Sequence, residues 1–552
     1  MPLPHLVLGG FMAAGKTTLG RLVASRAGVP FLDLDEAVLA HAAAAGQPFE
    51  SVAALFTALG QPTFRRLEAE ALARALAAPP PTVIAAGGGA LVNPESRTLA
   101  LASARVVTLT APPSTLLARL TAPDQPRRPL LEASADREAA LHTLITERAA
   151  AYAESHATVA TDALSPDETA AAIERAWRSP SVLVRLGERS YPVRFTGDAD
   201  AGTLVADVLA TLRPTRWLLV TDTTVDALWG EPFTAAAAAA APPIGPPAAV
   251  VRLEPGERHK TLSAMETILY TALDARLDRR SVIVAHGGGV VSDIAGFAAA
   301  LLFRGVRWIS VPTTLLSMAD AAIGGKTGVD LGPAKNAAGA FHQPAAVVLD
   351  PRRTTTETPR AYTGGLAEIV KSGAIADAAL VDLLEREAPA VRARSTPILE
   401  AALAAATAVK ATIVAADERE SAASPTPGTL SRALLNFGHT LGHALEAAGS
   451  FDRWTHGEAV SLGMSAALRA GVTLGITDPT AAARLLALLT TLDLPTRLTR
   501  TDIESALPFL TLDKKRSGAT LRAIFLTQIG SAVTRDIPLA DLERLYLSTA
   551  TD

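Results

Sequence analysis

The chain has 552 residues, a formal net charge of −4 and no cysteine, with 49% hydrophobic and 19% charged residues. Such a length exceeds one ordinary core and predicts two or more domains. A near-neutral charge, with no basic run or stripe, gives no electrostatic ground for a nucleic-acid or membrane partner.

Without cysteine there are neither disulfides nor thiolate ligands, so any metal must rest on His, Asp or Glu. The composition is compatible with a reducing cytoplasm. Leu6 to Ala14 is apolar but lacks the positive start of a signal peptide, and Gly15-Lys16-Thr17 stands where a cleavage site would be. No uninterrupted apolar run reaches bilayer-spanning length. A soluble cytoplasmic protein is expected.

In chain order, Leu6-Val7-Leu8 reads as a buried strand, then glycines, then a helix from about Thr17 to Ala27. Thr82 to Ala86 runs into Gly87-Gly88-Gly89, and Arg105 to Leu109 precedes Pro112 and another helical stretch. Strands alternating with helices predict a mostly parallel sheet covered on both faces. The pattern fades near Trp177, and Arg178-Ser179-Pro180-Ser181 reads as a linker. Ser181 to Leu186 and Tyr191 to Phe195 then alternate like a hairpin, and a second α/β series starts at Trp217 to Thr221. Ala235 to Ala241 with the prolines after it reads as a low-complexity insertion. Further strands are expected at Ser281 to Ala285, Arg307 to Val311 and Ala346 to Leu349. After about Thr354, alanine- and leucine-rich helices run to Leu512.

The first candidate site is Gly10-Phe11-Met12-Ala13-Ala14-Gly15-Lys16-Thr17, a G-x-x-x-x-G-K-[ST] match between a strand and a helix. Backbone N–H groups of such a loop wrap phosphates, and the helix start adds its positive end. Lys16 would reach the terminal phosphates, with the Thr17 hydroxyl on Mg²⁺. Asp33-Leu34-Asp35, Phe64-Arg65-Arg66-Leu67-Glu68, Gly87-Gly88-Gly89, Arg127-Arg128-Pro129, Glu147-Arg148 and Tyr152 follow in order. Singly, each has a bland alternative as a turn or a surface charge; together they resemble shikimate kinase over residues 1–175.

That resemblance implies a nucleotide site at Gly10, Ala14, Gly15, Lys16, Thr17 and Thr18, with Asp33 in the magnesium shell. It makes Asp35 the residue that orients and deprotonates the attacked hydroxyl. Arg65 and Arg148 would clamp the acceptor carboxylate, a task suited to the planar guanidinium, and Gly87, Gly88 and Gly89 would let the ring approach the backbone. Arg128 would swing in on a lid to neutralise the transferring phosphoryl group. Ala13 stands where the family generally has glycine, which alanine tolerates if its φ stays negative.

In the second series, His286-Gly287-Gly288-Gly289 follows a strand and opens a helix. It matches no G-x-G-x-x-G fingerprint, and an esterase reading lacks a G-x-S-x-G elbow. Further on, Asn436-Phe437-Gly438-His439-Thr440-Leu441-Gly442-His443 puts two histidines at i and i+4, followed by His456-Gly457-Glu458, with Glu368 upstream. Two His and one carboxylate form a common catalytic zinc set, yet spacing alone leaves satisfied helix histidines equally open.

Ser317-Met318-Ala319-Asp320, Ile323-Gly324-Gly325-Lys326-Thr327, Lys335-Asn336 and Gly364-Gly365-Leu366-Ala367-Glu368-Ile369-Val370-Lys371 join these segments in order. Together they resemble 3-dehydroquinate synthase from about 182 to 530. The resemblance implies Zn²⁺ or Co²⁺ on Glu368, His439 and His456. It implies NAD on Asp222, Glu257, Lys260, Gly288, Gly289, Asp293, Thr313, Thr314 and Lys335. Substrate would meet Arg304, Asp320, Lys326, Asn336, Lys371, Lys410, Arg432, Asn436, His443 and Lys514, with Lys326, Lys371 and His443 in the chemistry. The implied substrate is 3-deoxy-arabino-heptulosonate 7-phosphate, converted to 3-dehydroquinate and phosphate without net redox change.

The expected fold class is therefore α/β. A P-loop kinase-like parallel-sheet domain (1–175) and a linker (176–182) precede a synthase unit, with a Rossmann-like α/β half (183–353) and a mostly helical half (354–552). Small-molecule substrates, ATP with Mg²⁺, and a homodimer through the synthase unit are the implied partners. Ser421 to Ser431 is longer than the family's usual link before Arg432.

Overall fold

The computed structural model describes residues 3–122, 136–162, 164–240, 245–332, 334–420, 431–512, 516–517 and 520–551. They form two compact units: Met1–Arg216 with Glu231–Pro247 and Arg280–Val282, and Trp217–Gly230 with Ala248–Arg279 and Ile283–Asp552.

In the first unit, β1 (His5–Gly10), β2 (Phe31–Asp33), β3 (Val83–Ala85), β4 (Ala104–Thr110) and β5 (Ala157–Ala160) form a sheet in the order β2-β3-β1-β4-β5. Every neighbouring pair is parallel. The central strands are continuous apolar runs because both faces are covered. Leu6, Leu8 and Val107 pack against helices Lys16–Ala27 and Pro166–Arg178. Val7, Ile84 and Val106 face helices Leu34–Ala44 and Val52–Ala77.

Helix Pro166–Arg178 hands over through Ser179 and Pro180 to the antiparallel hairpin β6 (Ser181–Val184) and β7 (Tyr191–Phe195). Helix Ala201–Leu212 follows. The alanine run expected as a low-complexity insertion is instead the helix Glu231–Ala240, with Phe233 and Ala237 buried. Alanine is the best helix former, and Gly202 lets this helix pack closely, since a Cβ there would lie 3.0 Å from the Ala236 Cβ. Ala241 lies outside the described residues.

The second unit opens with a Rossmann-like half. Strands β8 (Trp217–Asp222), β9 (Ala249–Leu253), β10 (Val282–Gly287), β11 (Arg307–Pro312) and β14 (Ala346–Leu349) follow the order β14-β11-β10-β8-β9. A separate antiparallel hairpin of β12 (Lys326–Leu331) and β13 (Ala334–Phe341) was not legible in the sequence. The helical half is built on Pro359–Ala376, Thr396–Ala416, His439–Ala448 and His456–Thr473. Beyond Leu512 a three-stranded sheet of β15 (Arg516–Ser517), β16 (Thr520–Gln528) and β17 (Ser531–Pro538) closes against the core around Leu441, Leu462 and Phe525.

Among the described residues one helix, Thr396–Ala416, is long and apolar enough to cross a membrane by length and composition. It carries Glu400 and Lys410, and Leu399, Leu403, Ala406 and Ile413 are buried inside the protein.

Candidate active sites

The first site lies at the C-terminal ends of β1, β2 and β3, where ligands of open α/β sheets bind. Lys16 opens its helix and donates to the carbonyls of Gly10 (3.1 Å) and Phe11 (2.8 Å), which holds the ammonium over the loop. The Thr17 hydroxyl donates to Asp33 Oδ2 at 2.7 Å, while Asp33 Oδ1 accepts the Asp35 backbone N–H at 3.0 Å. Ala14 is buried and Thr18 exposed. Ala13 has φ +61, so the condition that alanine keep a negative φ is not met. The left-handed conformation costs a non-glycine residue about 1–2 kcal/mol. Arg119, which sequence reasoning missed, donates to the Ala13 carbonyl at 3.2 Å.

The loop after β3 is built on glycine because side chains crowd the backbone there. A Cβ on Gly87 would lie 2.9 Å from Asp35 Oδ1, and one on Gly89 would overlap the Arg65 guanidinium. Arg148 and Tyr152, one turn apart on helix Arg137–Ala153, both donate to the Gly88 carbonyl, at 2.9 and 2.6 Å. Arg65 pairs with Glu68 at 2.5 Å. Burial pushes the Glu68 carboxyl up, against the pull of Arg65. Glu68 and Tyr152 stood in the motifs without a role, and their burial beside charged partners is the signal that supplies one. Arg128 lies outside the described residues.

The second site forms in the helical half. Helices Pro359–Ala376 and His456–Thr473 touch at glycines, and a Cβ on Gly457 would overlap the Gly364 backbone. That approach brings Glu368 beside His439 and His456. Glu368 is 1% exposed, and its Oε1 lies 3.6 Å from the Nε2 of each histidine.

This donor set fits a divalent cation on two grounds. Both Glu368 oxygens are buried; Oε2 pairs with the Lys371 ammonium, while Oε1 faces the two histidines. His439 Nδ1 lies 3.2 Å from the Phe437 carbonyl, and His456 Nδ1 lies 3.2 Å from Glu446 Oε2. Each ring is therefore oriented through Nδ1 with Nε2 facing Glu368, as metal-binding histidines are. Burial opposes an imidazolium at His456, but Glu368 and Glu446 outweigh it and push the group up to about 10. Burial opposes ionisation of Glu446 too, and His456 with Lys335 brings it down to about 2. Glu446, between two noticed histidines, was missed; it lies on helix His439–Ala448, ten residues before His456, and only its contact with that ring reveals it.

A cationic wall adjoins the candidate ligand set. Asp320, on a single π-turn Ser317–Ala321, pairs with Lys410 at 2.6 Å and faces Lys371 at 3.8 Å. Burial opposes its ionisation, yet these lysines hold Asp320 far below the usual carboxylate range. Burial lowers Lys410 to about 8 against the pull of Asp320. Arg432 donates to the carbonyls of Glu418 (2.5 Å) and Gly324 (2.9 Å). Lys326 pairs with Glu420 at 2.5 Å, and Asn436 reaches the same carboxylate at 3.4 Å. His443 is exposed, its ring centroid 5.2 Å from that of His439.

The residues expected at NAD separate into groups. Lys260 joins Asp293 and Asn336, each at 2.5 Å, and burial raises Asp293 to about 6 despite Lys260. Lys335 spans Glu257 (3.8 Å) and Glu446 (3.3 Å). Gly288 and Gly289 open the helix Gly289–Leu301, and a Cβ on Gly288 would meet Thr314 at 3.2 Å. Thr313 is buried, its N–H bonded to the Gly287 carbonyl. Asp222 caps its own turn through the Val225 N–H at 2.9 Å. Arg304 is exposed with φ +69, and no hydrogen bond or ion pair among the described residues joins it to this cluster. Lys514 and the longer loop's residues 421–430 lie outside the described residues.

Comparisons with known proteins find two families along the chain. The family described as "Shikimate kinase" matches residues 12–177. Those described as "3-dehydroquinate synthase N-terminal" and "3-dehydroquinate synthase C-terminal" match 250–363 and 365–516. A 3-dehydroquinate synthase of Halorhodospira halophila (strain DSM 244 / SL1) is 43% identical over 352 residues, 63% of this chain and 94% of the relative. A 2-epi-5-epi-valiolone synthase from Streptomyces hygroscopicus subsp. jinggangensis 5008, solved with NAD⁺ and Zn²⁺, has a TM-score of 0.52 at 28% identity, covering 60% of this chain and 90% of its own. A 2-deoxy-scyllo-inosose synthase, solved with carbaglucose-6-phosphate, NAD⁺ and Co²⁺, shares the fold with a TM-score of 0.58 at 24% identity, covering 67% of this chain and 100% of its own. The chain belongs to the 3-dehydroquinate synthase family and carries a shikimate kinase ahead of it.

Proposed function

We propose that the two activities of this chain are carried by the residues grouped above. The protein is a bifunctional shikimate-pathway enzyme. It transfers phosphate from ATP to shikimate, giving shikimate 3-phosphate, and it converts 3-deoxy-arabino-heptulosonate 7-phosphate to 3-dehydroquinate and phosphate.

In the kinase, Thr17 and Asp33 are assigned to Mg²⁺ and Lys16 to the terminal phosphates of ATP. Asp35 takes the proton of the attacking hydroxyl, while Arg65 and Arg148 pair with the acceptor carboxylate. Arg128 is assigned to the lid.

In the synthase, Glu368, His439 and His456 are assigned to the cation, which supplies Lewis-acid polarisation of a substrate oxygen when bound. NAD, assigned to the groups around Lys260, Asp293 and Gly288, supplies a hydride acceptor that is regenerated. Lys371, Lys410 and Arg432 bind the anionic substrate, with Lys326 and Asn436 at the rim. His443, exposed beside the ligand histidines, moves a proton between substrate and solvent.

The observation that carries the synthase assignment is the meeting of Glu368 with His439 and His456, three residues far apart in the sequence. Phosphate release from the heptulosonate phosphate, dependent on NAD and a divalent cation and without accumulation of NADH, tests it. Steady accumulation of NADH would identify a dehydrogenase instead. ATP consumption dependent on shikimate tests the kinase.

The same reading makes the protein cytoplasmic, without nucleic-acid or membrane partners, and a homodimer through the synthase unit. Exposed apolar residues Tyr270 and Leu273 on helix Leu262–Asp274 support a subunit contact. A monomeric mass in light scattering would remove the dimer.

A further inference from the structure

We propose that Arg185, which lies beyond the kinase match at 12–177, is a positioning residue of the kinase acceptor site. It sits between β6 and the turn Gly187–Arg189, and it grips Glu154 at the end of the helix that bears Arg148 and Tyr152. The inference rests on the assignment of Arg148 to the shikimate carboxylate.

The geometry is a short relay. Glu154 caps the C-terminus of helix Arg137–Ala153, its N–H bonded to the Ala150 carbonyl. A carboxylate there faces the negative end of the helix, an unfavourable place for an anion. Two guanidiniums offset this, both on Glu154 Oε2. Arg97 Nε donates at 2.7 Å, and Arg185 donates through Nε at 3.2 Å and Nη2 at 2.9 Å. The Glu154 and Arg97 side chains are only 11% and 12% exposed, so the pair is weakly screened, while Arg185 at 41% closes it from the outside.

Arg97 also donates to the carbonyls of Leu91 (2.8 Å) and Val92 (3.1 Å), in the turn that follows Gly87-Gly88-Gly89. Glu154 thus ties the helix end to the glycine loop, while Arg148 and Tyr152 meet the same loop at the Gly88 carbonyl. Without Arg185, the carboxylate keeps one cation against the helix dipole, and the helix end that aims Arg148 is held less firmly. The segment around Arg185 is anchored on the kinase fold at other points. Arg105 donates to the Ser181 carbonyl at 2.9 Å, Arg175 pairs with Asp207 at 2.6 Å, and the Thr211 hydroxyl donates to the Thr158 carbonyl at 2.8 Å.

The test uses the full chain, with Arg185→Leu, Arg185→Lys and Glu154→Gln. A partly exposed ion pair contributes modestly, so Arg185→Leu should raise the shikimate KM roughly two- to fivefold. The KM for ATP and the synthase kcat should stay within experimental scatter, and Arg185→Lys should recover part of the loss. In a Glu154→Gln background, Arg185→Leu should add nothing further. An unchanged shikimate KM in Arg185→Leu, an additive effect in the double variant, or a parallel decline of ATP KM and synthase activity overturns the inference. Arg148→Met separates the two levels: if it leaves the shikimate KM unchanged, the site assignment falls and takes the inference with it. If it raises that KM while Arg185→Leu does not, only the inference falls.

Discussion

His456 Nδ1 lies 3.2 Å from Glu446 Oε2, and Nε2 of the same ring faces Glu368 Oε1 at 3.6 Å. One imidazole thus has its outer nitrogen fixed by a buried carboxylate and its inner nitrogen aimed at the candidate cation site. Glu446 is in turn held by Lys335 at 3.3 Å, on the β12–β13 hairpin. The orientation of a candidate ligand and the placing of a residue assigned to NAD therefore share one carboxylate.

Glu446→Gln keeps the shape of this contact but removes its charge. Loss of such an outer partner weakens metal affinity by roughly 10–100-fold. Competition with a zinc-selective chelator should show that loss, with synthase activity restored by excess metal. Shikimate kinase activity, carried by the first unit, should be untouched. Wild-type affinity in the variant would remove Glu446 from the metal assignment.

Removal of the ligand set itself should divide the two activities. His439→Ala should lower bound transition metal below stoichiometric levels and leave little synthase turnover, since three protein ligands are the usual complement of a catalytic zinc. Lys16→Met should abolish kinase turnover with the synthase intact. Elemental analysis and the two assays on one preparation check both. Full metal occupancy in His439→Ala would break the assignment.

The legible parts of the fold were those with local signals. The loop from Gly10 to Thr17 sits between a buried strand and a helix, and the parallel sheet follows from its apolar strands. Lys326 and Asn336 were picked out by resemblance, but the hairpin that carries them was not. Its strand β13, from Ala334 to Phe341, is alanine-rich and largely exposed, so it offers neither β-branched residues nor a clear alternation. The alanine run near Ala235 failed in the opposite way. Low complexity read as an insertion between elements, whereas alanine's helix propensity and the buried Phe233 decide for a packed helix. Glu446 and Arg185 gained their roles only from tertiary proximity, which no spacing rule encodes.

Ala13→Gly tests the strain in the phosphate loop. With φ at +61, glycine relieves a left-handed alanine but adds freedom to the unfolded chain. The balance should favour the folded kinase by about 1 kcal/mol. The urea concentration that halves kinase activity should rise, and that for the synthase should not. A decrease would mean that the surrounding contacts, the Arg119 bond to the Ala13 carbonyl among them, already offset the strain.

Acid should destabilise the kinase unit through His156. This ring is buried, and its Nδ1 accepts the Val106 backbone N–H at 3.0 Å, a bond only the neutral ring can accept. Burial first, and Arg105 second, bring the group down to about 3. Above pH 6.5 neither state binds the proton, and His156 has no effect on the balance. As the pH falls from about 6.5 towards 3, the unfolded chain takes up a proton that the folded protein refuses, and stability is lost throughout that window. The loss is on the order of a few kcal/mol by its lower end. His156→Asn replaces the acceptor nitrogen by an amide oxygen with no titration. It should cost some stability at neutral pH and flatten the acid slope of the kinase's heat-inactivation midpoint between pH 6.5 and 4. A variant as acid-sensitive as the parent would assign the slope to other groups.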